Sequence, residues 1–165
     1  VRAIGPIDRP TFRRLLTESW GTTRSAAHGR LIDVSEVDGL VAEVDGAWVG
    51  HLAYEVIDGA CEVALLESLA QGRGAGTALL STLADRALEE GWARIWLITT
   101  NDNTDALRWY QRRGFVLAAL HRDAITRSRQ TLKPEIPALG NDDIPIRDEL
   151  ELELPRSTWP AVAAR

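Results

Sequence analysis

The chain has 165 residues, 45% hydrophobic and 26% charged, with a net charge of −5 at pH 7, which suits one ordinary globular domain and excludes a disordered or fibrous protein. Such a balance lacks the concentrated basic surface that nucleic-acid phosphates demand, and the longest unbroken apolar run, Phe115 to Leu120, falls far short of the ~20 residues that span a bilayer. One cysteine, Cys61, cannot form an internal disulfide, and His28, His51 and His121 are scattered without metal-ligand spacing, which predicts a reducing, cytoplasmic setting and no structural metal.

Asp8 can cap a helix with Pro10 in its first turn, and Phe12, Leu15, Leu16 and Trp20 fall at helical spacing before Gly21, predicting a helix over 8–20. Residues 21–38 are polar apart from an apolar patch at Leu31 to Val34 and define no element. From Gly39 the apolar period becomes two. Leu40–Val44, Trp48–Ile57 and Cys61–Leu66, separated by Asp45-Gly46 and Asp58-Gly59, predict a three-stranded antiparallel meander, because Asp-Gly pairs supply the positive φ of tight hairpin turns. After the loop Gln71-Gly72-Arg73-Gly74-Ala75-Gly76, Leu79, Leu80, Leu83, Ala84, Ala87 and Leu88 line one helical face up to Gly91. Arg94–Thr100 reads as a strand, Thr104–Arg113 as a short helix closed by Gly114, and Phe115–Leu120 as another strand. A long loop rich in Pro and charge over 126–146 precedes Glu149–Leu154, which alternates as a half-buried strand.

Backbone N–H groups at a helix N-terminus carry about half a positive charge, and glycines let an anion approach them without a Cβ in the way. Residues 71–76 are therefore a candidate cradle for a diphosphate. A nucleoside-triphosphate loop needs Gly-Lys-Ser/Thr, but Thr77 follows Gly76 directly with no lysine. A dinucleotide fingerprint needs a third glycine where Thr77 stands and opens a parallel βαβ unit, whereas this loop closes an antiparallel meander. What remains resembles the acetyl-CoA loop of the GNAT acetyltransferase superfamily, Gln/Arg-x-x-Gly-x-Gly/Ala, matched by Gln71, Gly74 and Gly76. A second family element follows in order: Asn103, Ala106, Tyr110 and Gly114-Phe115 are similar to Asn-x-x-Ala-x-x-x-Tyr-x-x-x-Gly-Phe. The two motifs lie within about residues 61–115, and the stretch from Leu132-Lys133-Pro134 to Ile144-Pro145-Ile146-Arg147 resembles a tail of some small bacterial members. Ser68 departs from the family pattern, which often has proline there.

The resemblance implies one α/β (α+β) domain over 1–165, with a mixed, mostly antiparallel sheet of six to seven strands and helices on both faces. Its cofactor core would lie at about 61–115 and a C-terminal strand hairpin with a long loop at about 115–154, the sheet splaying between the strand ending near Leu66 and the strand 94–100. It further implies that the loop Gln71, Gly72, Arg73, Gly74, Ala75 and Gly76, with Thr77, holds the pyrophosphate of acetyl-CoA, while Leu66, Glu67 and Ser68 bond its pantetheine arm like an added strand. Asn103 either caps its helix or touches pantetheine, and Arg73 either pairs with a phosphate or is solvated.

Acyl transfer to an amine needs a deprotonated nucleophile, a donor to the carbonyl oxygen, and a proton for the departing thiolate. Tyr110 is the candidate acid, against the alternative of a buried tyrosine satisfied beside Trp109. Glu62 and Glu67 are the candidate bases, against the alternative of ordinary strand carboxylates, and Cys61 reads as core rather than nucleophile. Trp20 and Trp48 could wall an acceptor pocket lined by Glu36, Asp38 or Glu43, while Arg127, Arg129 and Lys133 could bind an acidic group or remain solvated. The function so implied is direct acetyl transfer from acetyl-CoA to a primary amine of a small molecule, with no nucleic-acid or membrane partner and with dimerisation common among relatives. A protein N-terminus or lysine as acceptor, and a non-catalytic acyl-CoA-binding module, are the alternatives.

Overall fold

Asp45 and Asp58 take φ of 51°, each followed by a glycine at 77°, so both Asp-Gly pairs turn the chain back on itself as the alternating segments around them require. The structure, a computed structural model, describes residues 1–70 and 72–163. In chain order, β1 (Arg2–Ala3) leads through a single 3-10 turn at Pro6–Asp8 into α1 (Arg9–Trp20), then come the hairpin β2 (Arg24–Ala27) and β3 (Arg30–Asp33) and the meander β4 (Asp38–Val44), β5 (Ala47–Ile57) and β6 (Ala60–Ser68). They are followed by α2 (Ala75–Glu89), β7 (Arg94–Thr100), α3 (Thr104–Gln111), β8 (Val116–His121), α4 (Ala124–Thr131), β9 (Glu149–Leu154) and α5 (Trp159–Ala163). Seven strands form one sheet in the order β1-β4-β5-β6-β7-β9-β8, and β2 and β3 make a separate two-stranded sheet. The β6–β7 pair is parallel and the remaining pairs are antiparallel. The expected mixed, mostly antiparallel sheet is thus present.

Helices cover both faces. On one, Leu79, Leu80, Leu83, Ala84 and Ala87 of α2 pack at 0–1% exposure with α3, α5 and the inner residues of β5, β6, β7 and β9. On the other, Phe12 and Leu16 of α1 meet Val34, Val41 and Ala53. Leu88, expected on the buried face of α2, is 40% exposed, because it lies one residue past the apolar stripe, where the helix has turned toward solvent. Among the described residues no helix is long and apolar enough to cross a membrane.

Four departures from the sequence reading have local causes. Asp8 does not cap α1 through its side chain; its carboxylate accepts from Gly5 N at 2.8 Å and from Arg2, closing the 3-10 turn ahead of the helix. Residues 24–33 form a hairpin because His28 and Gly29 supply two successive left-handed residues, φ 51° and 68°. The stretch 126–146 is not one loop: α4 occupies its start, with Ala124, Ile125 and Ser128 buried, and Arg129 donates to the carbonyls of Ile136, Pro137 and Ile146, fastening the remainder. At the C-terminus Trp159, 0% exposed, drives α5 onto α2 and donates its indole N–H to Leu154 O at 2.9 Å.

Candidate active site

The sheet opens along the parallel pair. β6 and β7 pair only from Ala60–Val63 to Arg94–Leu97. Beyond Val63, β6 stays with β5 through Ser68 while β7 stays with β9 through Thr100, so the two ends diverge. A bulge marks the departure: Tyr54 pairs with Val63 and Ala53 with Leu65, leaving Ala64 as the extra residue. An inserted residue bends its strand and sharpens the twist, and here it leaves the β7-facing backbone of Leu65 to Ser68 without a strand partner.

At the mouth of this split the chain turns into α2 through Gly72 and Gly74, both left-handed (φ 77° and 74°), with no atom within 4 Å of where a Cβ would stand. Glycine is required there by backbone conformation and not by crowding. Gly76 is the opposite case: a Cβ on it would lie 2.9 Å from Trp109 Cζ2, so the bare backbone is what lets α3 close on α2. The helix's own ladder begins with Ala78 N to Gly74 O at 3.0 Å, leaving the earlier N–H groups of α2 to point outward. They face a cavity of about 700 Å³ lined by Ser68, Gly72, Gly74, Thr77, Trp109 and Arg113. Arg113 was not singled out by the sequence reading. Its guanidinium stacks 3.6 Å over the Trp109 ring and donates to Thr77 Oγ1 at 3.0 Å, placing a cation beside the bend. The arginine four residues after a tryptophan on a helix was the available signal. Arg73 is exposed, Ala75 is buried in the first turn of α2, and Gln71 lies outside the described residues.

A second cavity of about 330 Å³ lies across the split, walled by Trp20 at the end of α1, by the connection and strand Thr22–Ala27, and by Lys133 and Ile146. Leu66, Ala106 and Tyr110 line both cavities. Tyr110 packs edge-on against Trp109 and Phe115 at 5.0 and 5.1 Å between centroids, and burial pushes its phenol well above the usual range. Asn103 caps α3, its Oδ1 accepting from Ala106 N at 3.2 Å, and also lines the second cavity.

The two carboxylates have different surroundings. Glu62, 6% exposed, lines the second cavity, and burial raises its carboxyl above the ordinary range against the opposing pull of Arg30, 3.9 Å away. Glu67 lines neither cavity. It sits behind Trp20, whose Nε1 donates to Oε2 at 3.3 Å, and opposite His51 on β5. His51 Nε2 lies 3.0 Å from Glu67 Oε2 but outside hydrogen-bond alignment, and burial, working against the Glu67 charge, lowers the imidazole's pKa.

Other expected wall residues lie elsewhere. Trp48 packs against Phe12, Glu36 pairs with Arg13 and Glu43 with Arg2, and neither these nor exposed Asp38 line the cleft. Lys133 Nζ donates to Arg24 O at 2.6 Å, while Arg127 and Arg129 bond backbone carbonyls. Cys61 is fully buried, its thiol pushed up by that burial, as a core residue should be.

Two proteins of Bacillus subtilis (strain 168), both described as uncharacterized, are similar in sequence. YdhI is 39% identical over 132 residues, 79% of this chain and 82% of its own, and YxbD is 40% identical over 134 residues, 81% and 84%. Among solved structures, a Bacillus subtilis acetyltransferase in complex with CoA shares the fold, with a TM-score of 0.62 at 18% identity over 86% of this chain and 82% of that one. The profile of the Acetyltransferase (GNAT) family matches residues 4–115, which hold the split, the glycine bend and Tyr110, and the chain belongs to that family.

Proposed function

We propose that this chain is an acetyl-CoA-dependent N-acetyltransferase that passes acetyl directly to a primary amine of a small molecule, working as one domain over 1–165 with its cofactor core at about 61–115. The observation that carries the reading is Tyr110, which lines a backbone-walled cavity on one side of the split and a smaller cavity holding Glu62 on the other. The first cavity fits a diphosphate: outward N–H groups at a fifteen-residue helix, two left-handed glycines without a Cβ, and Arg113 alongside. Acetyl-CoA, when bound, supplies an activated acetyl thioester. The chain's own parts do the rest. Unpaired β6 backbone at Leu66 to Ser68 orients the pantetheine arm, Glu62 takes the proton from the amine, and the Tyr110 phenol, protonated at neutral pH, donates to the leaving sulfur. Holding both reactants in the split supplies much of the acceleration.

A small acceptor is favoured over a protein segment because the second cavity is about 330 Å³ and is covered by Thr22–Ala27 and Lys133. Exposed Val116, Leu117 and Leu120 on the edge strand β8 supply an apolar surface for a second copy. The thiol Cys61, buried in the core, fits the reducing cytoplasm.

Release of free CoA thiol from acetyl-CoA, measured against aminoglycosides, polyamines, amino acids and peptides, tests the reading. Turnover is expected with a small amine, and Tyr110→Phe should lower kcat about 10²–10³-fold while leaving the KM for acetyl-CoA within about twofold. Turnover with peptides alone would move the acceptor to a protein, and binding of acetyl-CoA without turnover on any amine would reduce the chain to a binding module.

A further inference from the structure

We propose that His28, His121 and Glu151 form a binding site for a divalent transition-metal ion of the zinc class, which pins the β2–β3 hairpin to the main sheet. Nothing in their spacing along the chain joins these residues. The fold brings them together: His28 is at the hairpin tip, His121 ends β8 and Glu151 lies in β9, and one ligand atom from each falls within 4.8 Å of the others. Glu151 Oε2 is 2.9 Å from His121 Nε2 and 3.7 Å from His28 Nε2. Ligands about 2.0–2.1 Å from a tetrahedral zinc stand about 3.3 Å apart, a separation that these two carboxylate–imidazole distances bracket. Two imidazoles and one carboxylate are also the donor set that such ions prefer.

Independent features point at the same spot. Glu149, 0% exposed, lines a cavity with His28 and His121. Its Oε2 accepts from His28 N at 3.3 Å, while its Oε1 is buried without a hydrogen-bond partner among the described residues. A buried carboxylate oxygen left unpaired is costly, and a cation beside it, or a water on that cation, would relieve the cost. Arg94 holds the other oxygen of Glu151, which fixes the carboxylate with Oε2 toward the imidazoles, the outer support that metal ligands use. Arg127 also lines this cavity, but its guanidinium donates to Arg122 O and not to the carboxylates.

The turn itself carries a trace of the demand. Three hairpins here turn through two successive left-handed residues; in two of them the first is Asp (Asp45, Asp58), and in the third it is His28. Histidine tolerates that conformation less readily than glycine, and its gain is an imidazole laid against Trp96 and His121, with ring centroids 4.9 and 4.7 Å away. Because Arg24 to Ala27 of the same hairpin wall the smaller cavity of the split, the ion would hold that wall in place. The inference does not depend on the acetyl-transfer reading.

Equilibrium dialysis of the full chain against Zn²⁺ tests it. One ion per chain should be retained, and Co²⁺ in its place should give the visible absorption of a tetrahedral site. At roughly a hundred times the dissociation constant, Zn²⁺ should raise Tm by about 5–10 °C. His28→Asn, which keeps a residue that tolerates the left-handed turn, and His121→Asn should each weaken binding by about a hundredfold or more while their metal-free Tm stays within about 2 °C of the parent. Failure of the parent chain to retain Zn²⁺, or retention unchanged in both variants, would overturn the site.

Discussion

The two sides of the split are built on different plans. The side proposed for the cofactor comes from one continuous run of chain, β6 through Arg113, and offers backbone at the free edge of Leu65 to Ser68, the bend at Gly72 and Gly74 and the first turn of α2, beside the side chains of Trp109, Tyr110 and Arg113. The side proposed for the acceptor is assembled from two stretches more than a hundred residues apart, Trp20 to Ala27 and Lys133 to Ile146, set against β6 and β7. Backbone donors suit a group that does not vary with the acceptor, such as a diphosphate, and they depend on glycine conformation. Side chains drawn from distant segments can change singly, so they are suited to setting which acceptor is taken. The difference separates a common chemistry from a private specificity.

The largest effect should follow from damage to the backbone side. Gly74→Asp places a side chain on a residue with φ 74°, which costs about 1–2 kcal/mol in backbone strain, and sets a carboxylate against the anion proposed to sit at the bend. Affinity for acetyl-CoA, read by calorimetry, should fall about a hundredfold with the far-ultraviolet circular dichroism unchanged, because no atom lies within 4 Å of the added Cβ. Affinity within threefold of the parent would mean that the bend is not the anchor.

The same contrast governs what the sequence disclosed. The meander, α2, β7 and β9 were readable because local chemistry decides them: Asp-Gly at each turn, period two between them, and a leucine stripe that ends at Ala87. The bend was readable from its glycines, while Tyr110 stood out through the resemblance of its motif, and the structure places it between the two cavities. The hairpin at 24–33 was not, since His28-Gly29 is a less familiar pair for such a turn, nor was α4, whose buried Ile125 and Ser128 take their meaning from the hairpin they pack beside. The bulge at Ala64 turns Glu62 and Glu67 to the same face of β6, opposite Glu55 and His51, and Trp20 standing against Glu67 is what leaves Glu62 as the carboxylate that lines the cavity. His51, buried beside Glu67, was visible only as a scattered histidine.

Glu62 sharpens the comparison, being an acceptor-side side chain on the strand that also serves the cofactor. Burial raises its carboxyl, so the base form accumulates only above the ordinary carboxylate range of about 4.3. In the parent, kcat/KM should therefore rise with pH along a limb centred above that value. Glu62→Gln should remove the limb and lower kcat about 10–100-fold, while Glu67→Gln leaves the limb in place. Stability carries the opposite sign. A carboxyl raised on folding opposes the fold once ionised, a penalty absent below the unfolded pKa and fully present above the folded one. Glu62→Gln should accordingly raise Tm at pH 7 relative to the parent and leave it unchanged at pH 4. A limb that persists in Glu62→Gln would transfer the role to another group.

The smallest effect should be confined to the acceptor side. Trp20 is 57% exposed, yet its ring walls the smaller cavity and its Nε1 reaches Glu67 at 3.3 Å. An exposed indole at the last position of a helix contributes little to the core, so Trp20→Leu should cost less than about 1 kcal/mol of stability. It removes a flat wall and should raise the KM of the acceptor amine about tenfold, a loss of the size expected for one pocket contact, with the KM for acetyl-CoA unchanged. Trp20→Phe separates the two contacts of the indole, since it restores a flat apolar face but not the N–H. If the wall is what matters, Trp20→Phe recovers most of the acceptor affinity. If Trp20→Phe behaves like Trp20→Leu, the indole acts by holding Glu67, and specificity runs through the carboxylate outside the cavity. An equal rise in both KM values would break the division, because the acceptor wall would then be shaping the cofactor side as well.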